Sequence, residues 1–131
     1  MSAAATAGVN EWVNPFVGTS NYGTTNPGAV CPNGMMSATP FNVMGSDLNR
    51  FDKDKRWWST PYSSDNKYFT GFSHVNLSGV GCPEVGLALT MPTSGELIVD
   101  YSRYGSEYSN ETAVPGYYSC KLTAYDILAE V

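Results

Sequence analysis

A chain of 131 residues is about one domain, and its 42% hydrophobic and 13% aromatic content predicts a buried core and excludes disorder. Charged residues make up 15% of the chain, seven of them basic, for a net charge of −5. That balance leaves no basic face for nucleic acid or anionic lipid. Thirteen glycines and eight prolines break every apolar helical period before three turns, so the prediction is an all-β fold: an antiparallel β-sandwich with long loops and little helix.

Residues 1–12 read as an N-terminal tail. The opening MSAAATAG lacks the basic start and apolar run of a signal peptide and reads as a start methionine on a truncated or processed chain. Strands are predicted at Glu11 to Phe16, Met35 to Ala38, Tyr68 to Leu77, Val85 to Met91, Glu96 to Tyr101, and Tyr117 to Val131 with a break near Ala124 to Asp126. Their β-branched and aromatic content, with Asn33-Gly34 and Ser94-Gly95 as turn signals, suits antiparallel pairing. No run of ~20 apolar residues is present, so no membrane span is predicted.

Gly18 to Pro32 and Pro40 to Ser64 resist strand assignment and are longer than ordinary connections, which marks them as binding or covered loops. The second carries Trp57, Trp58 and Tyr62, three large aromatics that either stack on a ligand or pack against core or partner. In FDKDKRWW, Lys53, Lys55 and Arg56 alternate with Asp52 and Asp54, so the charges nearly cancel and the run reads as a solvated loop.

GFSHVNLSGVGC, Gly71 to Cys82, gathers the only histidine with two serines and a cysteine. As a strand it would place Phe72, His74 and Asn76 on one side and Ser73, Val75 and Leu77 on the other, with one face polar. Gly79 and Gly81 around Val80 would let the backbone approach a ligand closely. A serine nucleophile requires a G-x-S-x-G elbow leading into a helix, and Ser78 has neither. Nothing in the spacing brings Cys82 to His74. The bland reading is a histidine hydrogen-bonded near a sheet edge beside a buried thiol; the sharper one is a non-catalytic binding wall.

Cys31, Cys82 and Cys120 are an odd count without a C-x-x-C pair, compatible with one bridge and one free thiol and not with a zinc knuckle. Asp47, Asp52 and Asp54 lack the glycine and distal glutamate of a calcium loop. GTSNYGTTNPG is neither a P-loop nor a dinucleotide fingerprint.

VNPFVGTSNYGTTNPGAVCPNGM (Val13 to Met35), GFSHVNLSGVGC, MPTSG (Met91 to Gly95) and PGYYSCKL (Pro115 to Leu122) stand in an order that resembles the N-terminal region of family 92 glycoside hydrolases, bacterial exo-acting α-mannosidases. The resemblance runs from about Val13 to Val131. It implies an N-terminal β-sandwich, of which this chain is an incomplete part, packed on a C-terminal (α/α) barrel domain of the same polypeptide. It further implies a calcium-dependent, inverting enzyme, periplasmic or extracellular, releasing mannose from terminal α-mannosides. Inversion uses two carboxyl groups about 6.5 to 9.5 Å apart with a water between. In the family both of these, and the calcium ligands, come from the barrel domain, so this chain is expected to hold no catalytic residue and no metal and to be inactive alone.

The resemblance also implies which loops line the terminal mannose subsite: Gly18 and Thr19, the turn with Ser78, Gly79 and Cys82, His74 on or beside that wall, and a stacking aromatic among Trp57, Trp58 and Tyr62. Many relatives carry histidines where this chain reads Ser20-Asn21-Tyr22-Gly23-Thr24, a departure that bears on linkage preference. A free-standing carbohydrate-binding module or surface-glycan adhesin is the alternative reading, and self-association through exposed sheet edges is a further expectation.

Overall fold

The computed structural model describes residues 8–21, 23–30, 37–49, 60–74, 76, 86–100 and 102–131. Among the described residues eight strands form two four-stranded antiparallel sheets: β1 (Ala29–Val30), β2 (Ser37–Phe41), β4 (Gly71–His74) and β5 (Ala88–Thr90) in the order β1-β2-β4-β5, and β3 (Tyr68–Phe69), β6 (Ser106–Val114), β7 (Tyr117–Leu122) and β8 (Ile127–Glu130) in the order β3-β6-β7-β8. The expected all-β sandwich architecture is present, and the helical content among the described residues is one 3-10 turn, Val9–Trp12.

The second sheet is local in sequence. Pro115-Gly116 joins β6 to β7 and a tight turn joins β7 to β8, so neighbours in the chain are neighbours in the sheet. The first sheet is assembled from distant pieces, Thr39 pairing with Ser73 and Ser73 with Leu89. The chain crosses between sheets at Thr70. Phe69 lies in one sheet and Gly71 in the other, and the corner is pinned by Thr70, whose N–H and hydroxyl both donate to the Phe41 carbonyl at 2.9 and 3.1 Å. Gly71 takes φ 147°, and a Cβ there would stand 2.9 Å from Leu89, so the turn of the chain needs a glycine.

Between the sheets lies an apolar core of Phe69, Phe72, Tyr108, Tyr118, Cys120, Leu122 and Ala129. Its rings meet edge to face, Phe69 with Phe72 at 5.0 Å, Phe69 with Tyr108 at 5.9 Å and Phe72 with Tyr118 at 6.1 Å, the geometry that aligns ring edges with ring faces. Only Phe72 comes from the first sheet. That sheet's opposite face, with Ser37, Thr39 and Ser73, is also buried: the carboxamide oxygen of Asn26 accepts the Thr39 hydroxyl at 3.1 Å, and Asn76 packs beside Ser73.

Four expectations are corrected. Glu11 to Phe16 is not a strand: the segment begins in the 3-10 turn and closes on itself, Asn14 Oδ1 accepting the Phe16 N–H at 3.0 Å. Glu96 to Tyr101 looked like a strand for its alternation, yet residues 96–100 pair with no strand among the described residues, and Leu97 and Val99 are exposed. The longest strand among the described residues, β6, is absent from the expectation because Asn110 and Glu111 are poor strand formers. A β-bulge between Ser109 and Thr112, with Asn110 at φ 52°, accommodates them. The two segments read as strand-free also yield short ladder positions, Ala29–Val30 from the first and Pro40 and Phe41 from the second.

Candidate functional site

The loop from Asn14 to Thr25 and the segment from Thr60 to Asn66 are laced together. Thr19 O accepts Ser64 N–H at 2.9 Å, Asp65 Oδ2 accepts Asn21 N–H at 2.9 Å, and Thr25 O accepts the Thr60 hydroxyl at 3.4 Å. The structure therefore brings the Gly18-Thr19 loop beside the segment that follows the two tryptophans. Gly18 is exposed and offers backbone to solvent. Thr19 is buried, its hydroxyl turned inward to donate to Phe16 O at 2.8 Å, so within this chain its side chain faces protein.

Tyr62 has no exposed surface. Its ring packs on Phe16 at 6.5 Å and its hydroxyl donates to Glu111 Oε1 at 2.8 Å. The geometry supports packing for this residue and leaves no open ring face for a sugar. Trp57, Trp58, Ser78, Gly79 and Cys82 lie outside the described residues, as do Cys31 and the charge run at Asp52 to Arg56.

His74 ends β4 half-buried, and its Nε2 shares a hydrogen bond with Thr90 Oγ1 on the edge strand β5 at 2.9 Å. It lies on the face of Phe72, as alternation requires. Asn76 does not follow the alternation: it hydrogen-bonds Ser73 and Ser37, on the opposite face, because the chain has left the ladder after His74. The polar face is thus the one with Ser37, Thr39 and Ser73. No side-chain hydrogen bond among the described residues links His74 to Gly18, Thr19 or Tyr62.

Two polar groups central to this region escaped the sequence reading. Asn42 is fully buried below the Thr60 to Asn66 segment: its Nδ2 donates to Ser63 O at 2.8 Å and to the Tyr108 hydroxyl at 2.7 Å, and its Oδ1 accepts Ser63 N–H at 2.8 Å. Glu111, re-aimed by the β6 bulge, accepts both the Tyr62 and the Tyr118 hydroxyl on one oxygen at 2.8 Å. Burial first, and then the neighbouring hydroxyl, thiol and carboxylate groups, push the Tyr62 and Tyr118 hydroxyls far above the ordinary tyrosine range. Burial likewise pushes the Cys120 thiol up to about 12, which keeps this buried free cysteine protonated at neutral pH. Asparagine is common in turns, and nothing in its spacing separates a loop asparagine from a buried one. The signal for Glu111 was a carboxylate inside an otherwise strand-like run.

Chemically the region can present backbone and small polar groups to a hydroxyl-rich ligand. Among the described residues no three His, Cys, Asp or Glu side chains gather as a metal site, and no helix is long and apolar enough to cross a membrane.

No curated protein matches the chain. Among solved structures, the family GH92 α-mannosidase BT3965 from Bacteroides thetaiotaomicron is 32% identical over 92% of the chain with a TM-score of 0.75. The same enzyme in complex with mannoimidazole aligns over 92% of the chain at 33% identity and a TM-score of 0.73. The GH92 family glycosyl hydrolase ccman5 aligns over 86% at 29% identity and a TM-score of 0.64. The chain spans 16% of the length of the first two and 14% of the third. Residues 12–131 match the model of the glycosyl hydrolase family 92 N-terminal domain, and the chain belongs to that family.

Proposed function

We propose that this chain is the substrate-lining, non-catalytic N-terminal part of a secreted or periplasmic exo-α-mannosidase that acts on terminal α-mannosides of glycans. The observation that carries the reading is the family match over residues 12–131, joined to the small share, 16%, that the chain represents of the α-mannosidase from Bacteroides thetaiotaomicron. On this reading the chain is one wall of a site, and a larger helical domain, the (α/α) barrel, supplies the rest. On this reading the general acid, the general base and the calcium ion belong to that domain, and the reaction inverts the anomeric centre through a water held by the base. The loops 14–25 and 60–66, laced together as described, and the 77–85 segment form this chain's contribution.

The test is a pair of assays with calcium present. The chain alone is expected to release no mannose from an α-mannoside, and the complete polypeptide carrying it is expected to release mannose first formed as the β-anomer, read by NMR. Turnover by the chain alone would overturn the proposal, as would an α-anomeric first product.

A further inference from the structure

Strand β6 changes phase at its bulge. Tyr108 faces the core, so strict alternation would turn Asn110 inward and leave Glu111 in solvent with Glu107 and Ser109. The ladder instead pairs Ser109 with Lys121 and Thr112 with Ser119, which leaves Asn110 and Glu111 together opposite Cys120. The extra residue shifts everything after it by one: Glu111 and Ala113 turn to the inner face, half-buried, and Ala113 packs against the core.

The Glu111 carboxylate thereby lands between two tyrosines that have no exposed surface, Tyr118 of β7 and Tyr62 of the 60–66 segment, and its Oε1 accepts both hydroxyls at 2.8 Å. Tyr62 leads onward to the loops. Its ring packs on Phe16 at 6.5 Å, and Phe16 O accepts both the N–H and the hydroxyl of Thr19, at 3.2 and 2.8 Å. Just beyond Tyr62, Ser64 N–H donates to Thr19 O at 2.9 Å and Asp65 Oδ2 accepts Asn21 N–H at 2.9 Å. An apolar residue on β6 would fill the same volume, but a hydroxyl bonded to a carboxylate also fixes how deep the ring stands. Through this carboxylate the sheet that builds the core reaches the loops.

We infer that Glu111 is a positioning residue: through Tyr62 it sets the stand of the paired stretches 16–21 and 60–66, so that the Gly18 backbone meets a terminal sugar as a preformed wall. This rests on the reading of those stretches as part of a sugar subsite. A preformed wall spares the ligand the entropy of ordering it, which shows in binding more than in the chemical step.

Tyr62→Phe and Tyr118→Phe, made in the complete polypeptide that carries this chain, each take one hydroxyl from the same oxygen and keep the ring. A role confined to core stability makes the two variants alike; the positioning role does not. In Tyr62→Phe the amides of Asn21 and Ser64, bonded across the two stretches, are expected to exchange about five- to tenfold faster, and KM for an α-mannoside is expected to rise several-fold with kcat near its original value. In Tyr118→Phe exchange and KM stay near their original values. Glu111→Ala is expected to reproduce the Tyr62→Phe pattern, and Glu111→Gln, which keeps an acceptor, to restore slow exchange; should Glu111→Ala fail to fold, the tyrosine pair decides. Equal exchange at Asn21 and Ser64 in the two tyrosine variants overturns the positioning role. Faster exchange confined to Tyr62→Phe with KM unmoved upholds the brace and overturns the subsite reading beneath it.

Discussion

The two sheets of this sandwich are built on opposite principles. The β3-β6-β7-β8 sheet supplies Phe69, Tyr108, Tyr118, Cys120, Leu122 and Ala129 to the core, along strands joined by short turns. The β1-β2-β4-β5 sheet supplies Phe72 to that core and buries Ser37, Thr39 and Ser73 on its other face, under loops that arrive from far along the chain. Apolar burial is non-directional and tolerates small shifts. Buried hydrogen bonds are not, since each lost partner leaves a polar group stranded. The difference teaches a division of labour: one sheet holds the sandwich together, and the other, with its asparagines, sets where the loops stand.

The sharpest challenge to this contrast is Phe69→Ala. The ring is fully buried against Phe72 and Tyr108, so its loss is expected to cost about 3 to 5 kcal/mol, measured by denaturant unfolding. A cost below about 1 kcal/mol would mean that the apolar core does not carry the stability assigned to it.

Asn42→Ala is the matching test on the polar side. It strands Ser63 N–H and takes a donor from Tyr108, with an expected cost of about 1 to 3 kcal/mol. The more telling readout is proteolysis, with cleavage expected to appear first in residues 60–66. Cleavage spread evenly over the chain would erase the distinction between holding and placing.

The smallest effect, confined to the alkaline range, follows from the tyrosines. Tyr62, Tyr108 and Tyr118 have hydroxyl pKa values raised by burial above the ordinary value, so the folded state keeps protons that the unfolded chain releases. Their stabilisation is complete below about pH 10 and falls as pH rises beyond it. The unfolding midpoint should therefore drop between neutral and strongly alkaline pH, and Tyr62→Phe, which removes one titrating hydroxyl, should lessen that drop. Identical slopes in the two proteins would show that Tyr62 is not held as described. Cys120, raised to about 12 by burial, should resist thiol reagents at mild alkaline pH until the chain unfolds.

Legibility in the sequence followed the same divide. β7 and β8 were readable from Tyr117 to Val131 because their partners are adjacent and their break at Ala124 to Asp126 is a turn. β6 was not, because its bulge puts Asn110 and Glu111 inside a strand, and a bulge answers to the opposing strand. Glu96 to Tyr101 had the alternation of a strand without a neighbour to pair with among the described residues, which periodicity cannot reveal. In the candidate site, packing was one of two readings open for Tyr62, and the choice between them depended on Phe16 and Glu111, which only folding brings to it. His74 was legible in place, near the edge of a sheet, and its partner Thr90 on the edge strand was not.

By itself the sequence determined the class of the molecule and its kinship: glycines and prolines too frequent for helices, strand-like aromatic runs, and motifs in a family's order. Only the tertiary structure decided which polar residues are buried and what they hold. Asn42 reaches Tyr108 across 66 positions, Tyr62 reaches Glu111 across 49, and Asn76 reaches Ser37 across 39. A local pattern cannot encode such pairs, because the energy of a buried hydrogen bond depends on a partner that only folding brings within reach.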